Sequence, residues 1–113
     1  MNRSANVISE PNNDIFISAV TFWEIAIKVR AGRLDIGKVT PGELPSHAVQ
    51  MGFAPIELLA DETATMGSLA ENTHFDPFDR MLIWQAISRD LTLVSRDADF
   101  EHFKKDGLKL FWK

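Results

Sequence analysis

Apolar residues fall into short runs separated by turn-forming residues, and two kinds of spacing are visible. Four runs predict strands: DIFIS (14–18), FAPIEL (53–58), LTLVS (91–95) and LKLFW (108–112). Helical spacing predicts helices from Ser18 or Thr21 to Gly32, from Thr40 to Gly52, from Asp61 to about Ala70 and from Asp76 to about Arg89, with a helical turn at 98–103. Strands that alternate with helices predict an α/β layer fold with a mostly parallel sheet.

The bulk composition narrows the class of protein. The 113 residues suffice for a single domain, 1–113, and 45% of them are hydrophobic, as in ordinary globular proteins. No apolar stretch reaches the length of a membrane span, and no hydrophobic signal core opens the chain, so no membrane association is expected. The lack of cysteine excludes a zinc–thiolate site and predicts a cytoplasmic protein. The net charge of −4 argues against a broad basic face that coats nucleic acid.

Acidic residues follow two predicted strands and precede one helix. In an α/β sheet, ligands sit at the carboxyl ends of the strands. Ser18 ends one strand and leads to Glu24, and Ser95 ends another and leads to Asp97. The loop before the helix at 77 adds Asp76 and Asp79. We therefore expect acids from three segments to meet at this edge.

Each of these acids also has a structural explanation. Thr21 and Glu24 have the spacing of a capping box, and Asp76 before Pro77 is a natural N-cap. Asp79 would gain from the helix dipole, and Asp97 follows a strand in a turn, where Asp is common. Packed carboxylates repel one another unless a cation compensates them, and Mg²⁺ or Mn²⁺ prefers such oxygen ligands. Capping and cation binding both remain open at this point.

Other site chemistries lack their motifs. The three histidines do not have the HExxH spacing of a zinc site, and neither GxxxxGK[ST] nor GxGxxG occurs. GxSxG is also absent, so no serine hydrolase motif is present. The tryptophans and most phenylalanines are predicted to lie in the core.

Two segments resemble one known family. SAVTFWEIAIKVRAGRLDI (18–36) and HFDPFDRMLIWQAISRDLTLVSRDADF (74–100), with their spacing, resemble PIN-domain ribonucleases, in particular the VapC toxins of bacterial type II toxin–antitoxin systems. The resemblance covers roughly residues 5–112. It implies a three-layer α/β/α fold and an endoribonuclease that cuts RNA with Mg²⁺ or Mn²⁺. It also implies a cognate antitoxin as partner and a dimer or other homo-oligomer.

The resemblance assigns roles to individual residues. Glu24, Asp79 and Asp97 match the family's acidic positions and are the implied catalytic metal ligands. Asp76 stays the helix cap and is implied to help orient the site, and Ser95 is implied to orient water or a ligand. Arg96 or Arg80 is the implied phosphate contact.

One part of the family pattern is not matched. The family begins with a central strand whose Asp is the first metal ligand, whereas SANVISEPNND (4–14) resembles the end of the family's first helix. This predicts an N-terminally truncated fold with exposed strand edges on either side of the gap. It also predicts weak or absent RNA cleavage, better with Mn²⁺ than with Mg²⁺. Glu10 and Asp14 are not expected to replace the missing carboxylate.

Three functions therefore remain in view. The first is a metal-dependent endoribonuclease toxin impaired by truncation. The second is a non-catalytic degenerate toxin that binds an antitoxin through the helix of Phe22, Trp23 and Ile27. The third is a phosphatase-type hydrolase, against which DPFD fails to match the motif DxDxT.

Overall fold

Five short strands and four α-helices form the part of the chain that the computed structural model describes, residues 7–9, 14–71, 76–95 and 97–111. The strands are β1 (Val7–Ser9), β2 (Ile15–Ser18), β3 (Ala54–Ile56), β4 (Thr92–Val94) and β5 (Lys109–Phe111). The helices are α1 (Ala19–Arg30), α2 (Leu44–Gln50), α3 (Ala60–Thr65) and α4 (Pro77–Ser88), with 3-10 segments at Pro41–Glu43, Met66–Ser68 and Ala98–Asp106. None of the described helices has the length and apolar character that a bilayer crossing requires.

The strands form one mixed sheet in the order β3-β2-β1-β4-β5. β2 pairs with β3 in parallel, and β4 pairs with β5 in parallel. β1 lies between these two pairs and runs antiparallel to both of its neighbours. Four of the five strands thus share one direction, which confirms the predicted α/β fold with a mostly parallel sheet.

The central position of β1 contradicts the prediction for the N-terminal segment. Residues 7–9 form a strand, whereas the sequence resemblance places the end of a helix there. Ile8 is opposite Phe16 of β2 and opposite Leu93 of β4, so β1 covers the two strand edges that were predicted to be exposed. Val7 and Ile8 suit a strand because β-branched side chains fit a pleated surface. Residues 4–6 and 10–13 of that segment, including Glu10, lie outside the described residues, and Asp14 is exposed just before β2.

Helices cover both faces of the sheet. On one face Ile8 and Leu93 are fully buried with Ile83 of α4, and they belong to a core that also contains two residues of the C-terminal 3-10 helix, Phe100 and Phe103. Successive side chains of a strand point to opposite faces. On the other face an apolar cavity of about 150 Å³ lies between β2, α1 and α2, and its lining includes Ile17, Phe22, Ile25, Leu44, Ala48 and Phe53. This is a three-layer arrangement.

The tryptophans only partly follow the core prediction. Trp23 on α1 is 57% exposed, so its assignment to the core is wrong. Trp84 on α4 is partly buried against the core. Trp112 lies outside the described residues.

A buried polar network ties α4 to α3. The carboxylate of Glu62 accepts hydrogen bonds from Arg89 Nε at 2.7 Å, from Gln85 Nε2 at 3.1 Å and from the Leu59 N–H at 2.8 Å. Arg89 and Gln85 both donate to the carbonyl oxygen of Glu57 just after β3 as well. Burial acts to raise the pKa of Glu62, but these hydrogen bonds outweigh it and hold that pKa below its ordinary value of 4.5. The network fixes the position of α4 against the end of β3.

The central position of β1 leads to a prediction about stability. Ile8→Ala should lower the free energy of unfolding by about 3 kcal/mol, because it removes a fully buried side chain from the middle of the sheet. Urea denaturation measures this change. The half-exposed Ile27 on α1 is the matched control, and Ile27→Ala should change the free energy by no more than about 0.5 kcal/mol. Similar small values for both variants would contradict a central β1.

The Glu62 network leads to a pH-dependent prediction. At pH 7, Glu62→Gln should lower the free energy of unfolding by about 2 kcal/mol, because Arg89 loses its charged partner. The folded-state pKa of Glu62 is lowered, so its contribution is present above pH 4.5 and is lost as the pH falls through the folded-state value. The difference in free energy of unfolding between the original chain and Glu62→Gln should therefore become smaller below pH 4.5.

Denaturation series at several pH values test this. Glu101→Gln is the control, because Glu101 forms an exposed pair with Lys104 at 2.7 Å, and its removal should change the free energy by no more than about 0.5 kcal/mol at any pH. If the difference in free energy of unfolding between the original chain and Glu62→Gln stays constant into the acid range, the lowered pKa is contradicted.

Candidate functional site

β2 leads directly into the helix that carries Glu24. Ser18 ends β2 with extended backbone angles, and its hydroxyl oxygen accepts a hydrogen bond from the Val20 N–H at 3.1 Å. Ser18 is therefore the N-cap of α1, as one of the two predicted starts had it. The predicted capping box of Thr21 and Glu24 is wrong, because both residues lie inside the helix. Capping therefore does not explain Glu24.

Glu24 is a buried carboxylate with a cationic neighbour. The residue is 8% exposed, and its Oε2 atom is 2.5 Å from the ammonium nitrogen of Lys28, one helical turn later. Burial of a carboxylate is unfavourable unless it is paired and hydrogen-bonded. The pair with Lys28 supplies part of that compensation.

α4 begins as the sequence predicts. The side chain of Asp76 accepts hydrogen bonds from the N–H groups of Phe78 and Asp79 at 2.9 and 3.1 Å, and Pro77 occupies the first helical position. The predicted cap is confirmed. Asp79 lies in the first turn of α4 and is 2% exposed, so a second carboxylate is buried here.

The two buried carboxylates lie on helices that touch. The rings of Trp23 and Phe78 meet edge to face, with their centroids 4.9 Å apart. These residues immediately precede Glu24 and Asp79 in the sequence. The contact therefore joins the early turns of α1 and α4 where the two acids are carried.

The third predicted ligand follows β4. Ser95 is buried, and its hydroxyl oxygen accepts a hydrogen bond from the Asp97 N–H at 3.2 Å. Asp97 is partly buried, and its Oδ1 atom accepts from the Asp99 N–H at 3.0 Å, so Asp97 caps the 3-10 helix Ala98–Asp106. Sequence reasoning missed this cap. Arg96, between these residues, lies outside the described part of the chain.

The sheet sets the spacing between these segments. β2 and β4 run in the same direction with only β1 between them, so Ser18 and Ser95 follow their strands at the same edge. Two interstrand spacings put β2 and β4 about 10 Å apart. Among residues 7–9, 14–71, 76–95 and 97–111, no three Asp, Glu or His side chains are close enough together to hold one metal ion. The joint role of Glu24, Asp79 and Asp97 stays a prediction.

Arg80 is engaged with neighbouring protein groups. Its guanidinium donates to the carbonyl oxygen of Glu71 at 2.7 Å and lies 5.8 Å from the centre of the Phe103 ring. The carboxylate of Asp106 accepts from the N–H groups of Ala70 and Glu71 at 2.9 and 3.2 Å. These contacts connect the segment that precedes Asp76 with the 3-10 helix that follows Asp97. No local sequence pattern indicates the bonds of Asp106, because its partners are 36 and 35 residues away.

The cap of α4 leads to a prediction that separates capping from charge. Asp76→Ala should lower the free energy of unfolding by about 1 kcal/mol, because the N–H groups of Phe78 and Asp79 lose their acceptor. Asp76→Asn should be nearly neutral, since Asn caps helices about as well as Asp. Thermal and urea denaturation of both variants measure the difference. Equal losses would show that the charge of Asp76, and not its capping, stabilises the helix.

Comparison with known proteins identifies the family of this chain. No curated protein and no solved structure matches the chain. The PIN domain family, whose members are generally nucleases, matches residues 2–106 of the 113. This match spans β1 to the end of the 3-10 helix and includes every predicted site residue. The chain belongs to the PIN domain family.

Proposed function

We propose that this PIN-domain protein is a metal-dependent endoribonuclease of the VapC type, the toxin of a type II toxin–antitoxin pair. The observation that carries the proposal is the burial of Glu24 and Asp79 on two helices in contact, beside the edge where β2 and β4 end. Buried acids are rare unless they are paired or bind a cation. Their position at the carboxyl ends of the strands is where ligands bind in α/β folds.

The chemistry of these side chains fits Mg²⁺ or Mn²⁺. Both ions prefer carboxylate oxygens, and Mg²⁺ is usually held by one or two carboxylates together with water and substrate phosphates. Glu24 and Asp79 would hold the ion, and Asp97 would have to approach them to become the third ligand, since no three described carboxylates lie close enough together to hold one ion. A bound ion of this kind activates water and neutralises charge on the phosphodiester.

The protein's own groups orient this site. The Asp76 carboxylate accepts hydrogen bonds from the N–H groups of Phe78 and Asp79. These bonds fix the first turn of α4, and with it the backbone that carries the Asp79 carboxylate. Ser95 holds the loop of Asp97 through the Asp97 N–H. The Arg80 guanidinium donates a hydrogen bond to the Glu71 carbonyl oxygen and lies over the Phe103 ring. These contacts support a role in holding the segment before Asp76. Of the two arginines, Arg96 is therefore the preferred phosphate contact in this proposal.

A second candidate function is capture of an antitoxin without catalysis. Trp23 and Ile27 lie one turn apart on α1 and are 57% and 42% exposed, an apolar surface of the kind that partner proteins cover. The homo-oligomer that the resemblance implies is proposed on the same apolar surface. Pairing through open strand edges is not proposed, because β1 covers the two edges that were predicted to be exposed. A cytoplasmic location rests only on the lack of cysteine.

Cleavage of total tRNA and ribosomal RNA by the purified chain tests the proposed activity. We expect weak cleavage that is faster with Mn²⁺ than with Mg²⁺ and is abolished by EDTA. Glu24→Gln and Asp79→Asn should each lower the rate by at least about a hundredfold, because each removes a negatively charged ligand from a metal that supplies the nucleophile.

Asp61→Asn is the matched control. Asp61 is an exposed carboxylate in the first turn of α3, and its replacement should leave the rate unchanged. Cleavage that survives both EDTA and Asp79→Asn would overturn the metal mechanism. No cleavage with either metal, together with binding of the protein encoded beside it, would favour the antitoxin-binding candidate.

A further inference from the structure

Lys28 contacts one of the two buried acids of the candidate site. Its ammonium nitrogen is 2.5 Å from Glu24 Oε2, and the two side chains are only 22% and 11% exposed. A hydrogen bond between a charged donor and a charged acceptor is stronger than one between neutral groups. Glu followed by Lys at i+4 is also the favourable order for such a pair on a helix.

Burial distinguishes this pair from the other described ion pairs between residues three or four apart in the sequence. Lys104 and Glu101 are 2.7 Å apart, but both side chains are more than half exposed. Glu43 and His47 are also about half exposed. Exposed pairs contribute little and are screened by salt, whereas a charge held near a buried carboxylate acts through less solvent. The Lys28 charge is therefore placed where it affects any other cation that approaches Glu24.

We propose that Lys28 is a resident counter-ion of the acidic site, which compensates Glu24 in the metal-free protein and competes with the divalent ion for it. This inference rests on the proposed function, because it takes Glu24 to be a metal ligand. Lys28 is then a positioning and charge-compensating residue and not a catalytic one. It keeps the carboxylate paired in the metal-free protein, and it weakens the affinity for the metal.

The physical argument is one of charge. A fixed unit charge a few ångströms from a divalent ion repels it by an amount that corresponds to about tenfold in affinity even in solvent-like surroundings. The repulsion is larger where solvent is excluded. Replacing Lys28 by a neutral side chain should therefore tighten metal binding, although it removes a contact that stabilises the folded chain.

Binding of Mn²⁺ to the purified full chain tests this, with free Mn²⁺ measured by its EPR signal. Lys28→Gln keeps a hydrogen-bond donor near Glu24 but removes the charge, and it should bind Mn²⁺ about tenfold more tightly than the original chain. Lys28→Arg keeps the charge and should bind as the original chain does. Lys104→Gln removes one positive charge from the exposed pair and should also leave the affinity unchanged.

Thermal denaturation with and without Mn²⁺ provides a second readout. If Lys28 is a counter-ion, Lys28→Gln lowers the Tm without metal and shows a larger Mn²⁺-induced rise in Tm than the original chain. If Lys28 only stabilises the helix, the Tm falls but the Mn²⁺-induced rise is the same, and the proposal is overturned. Weaker Mn²⁺ binding by Lys28→Gln would also overturn it.

Mn²⁺ binding by the variants distinguishes failure of the counter-ion role from failure of the proposed metal site. Loss of Mn²⁺ binding in Glu24→Gln with unchanged binding in Lys28→Gln rejects the counter-ion but keeps the metal site. Failure of the original chain, Lys28→Gln and Lys28→Arg to bind Mn²⁺ at millimolar concentration rejects both. Binding by Lys28→Gln alone would support the counter-ion strongly, because only the uncharged variant would then admit the metal.

Discussion

The pairing of β1 with both β2 and β4 is the interaction on which the rest of the fold depends. Without it the sheet would consist of two separate parallel pairs, β3 with β2 and β4 with β5. Ile8 is paired with Phe16 of β2 on one side and with Leu93 of β4 on the other, and its side chain is buried in the core. Because β2 leads to Glu24 and β4 leads to Asp97, the same strand sets the separation between the acidic segments. The candidate site therefore depends on three residues that carry none of its chemistry.

Local signals predicted most of the helices and four of the strands. Asp76 followed by Pro77 identifies the start of α4 because the side chain and the fixed proline backbone act within a single turn. The strand at 7–9 could not be predicted in the same way. Val7 and Ile8 favour a strand, but a run of three residues between polar segments is too short to identify one, and its conformation depends on two partners that lie about 8 and 85 residues away. Pairing with other strands, and not intrinsic propensity, decides the conformation of such a segment.

The candidate site shows the same division between local and distant effects. The pair of Glu24 and Lys28 follows from their spacing on a helix, and the cap by Asp76 follows from its position. The burial of Trp23 was predicted wrongly, because apolar residues occur on every side of α1 and their spacing does not show which face meets the core. The bonds of Asp106 to the Ala70 N–H, and of Glu62 to Arg89, join segments that are far apart in the sequence. They become visible only once the chain is folded.

The antiparallel direction of β1 also has a consequence for the order of folding. Each outer pair of strands is parallel, and a chain can complete such a pair only after a crossover of a dozen or more residues. The hairpin of β1 and β2 is local, but the ladder between β1 and β4 closes a loop of roughly 85 residues, such as the one between Ile8 and Leu93. Contacts so distant in sequence form slowly, because the entropy of loop closure is lost before any pairing is gained. The seam between β1 and β4 should thus be the last part of the sheet to form, after the hairpin of β1 and β2 and the parallel pair of β4 and β5, whose partners lie much closer together in the sequence.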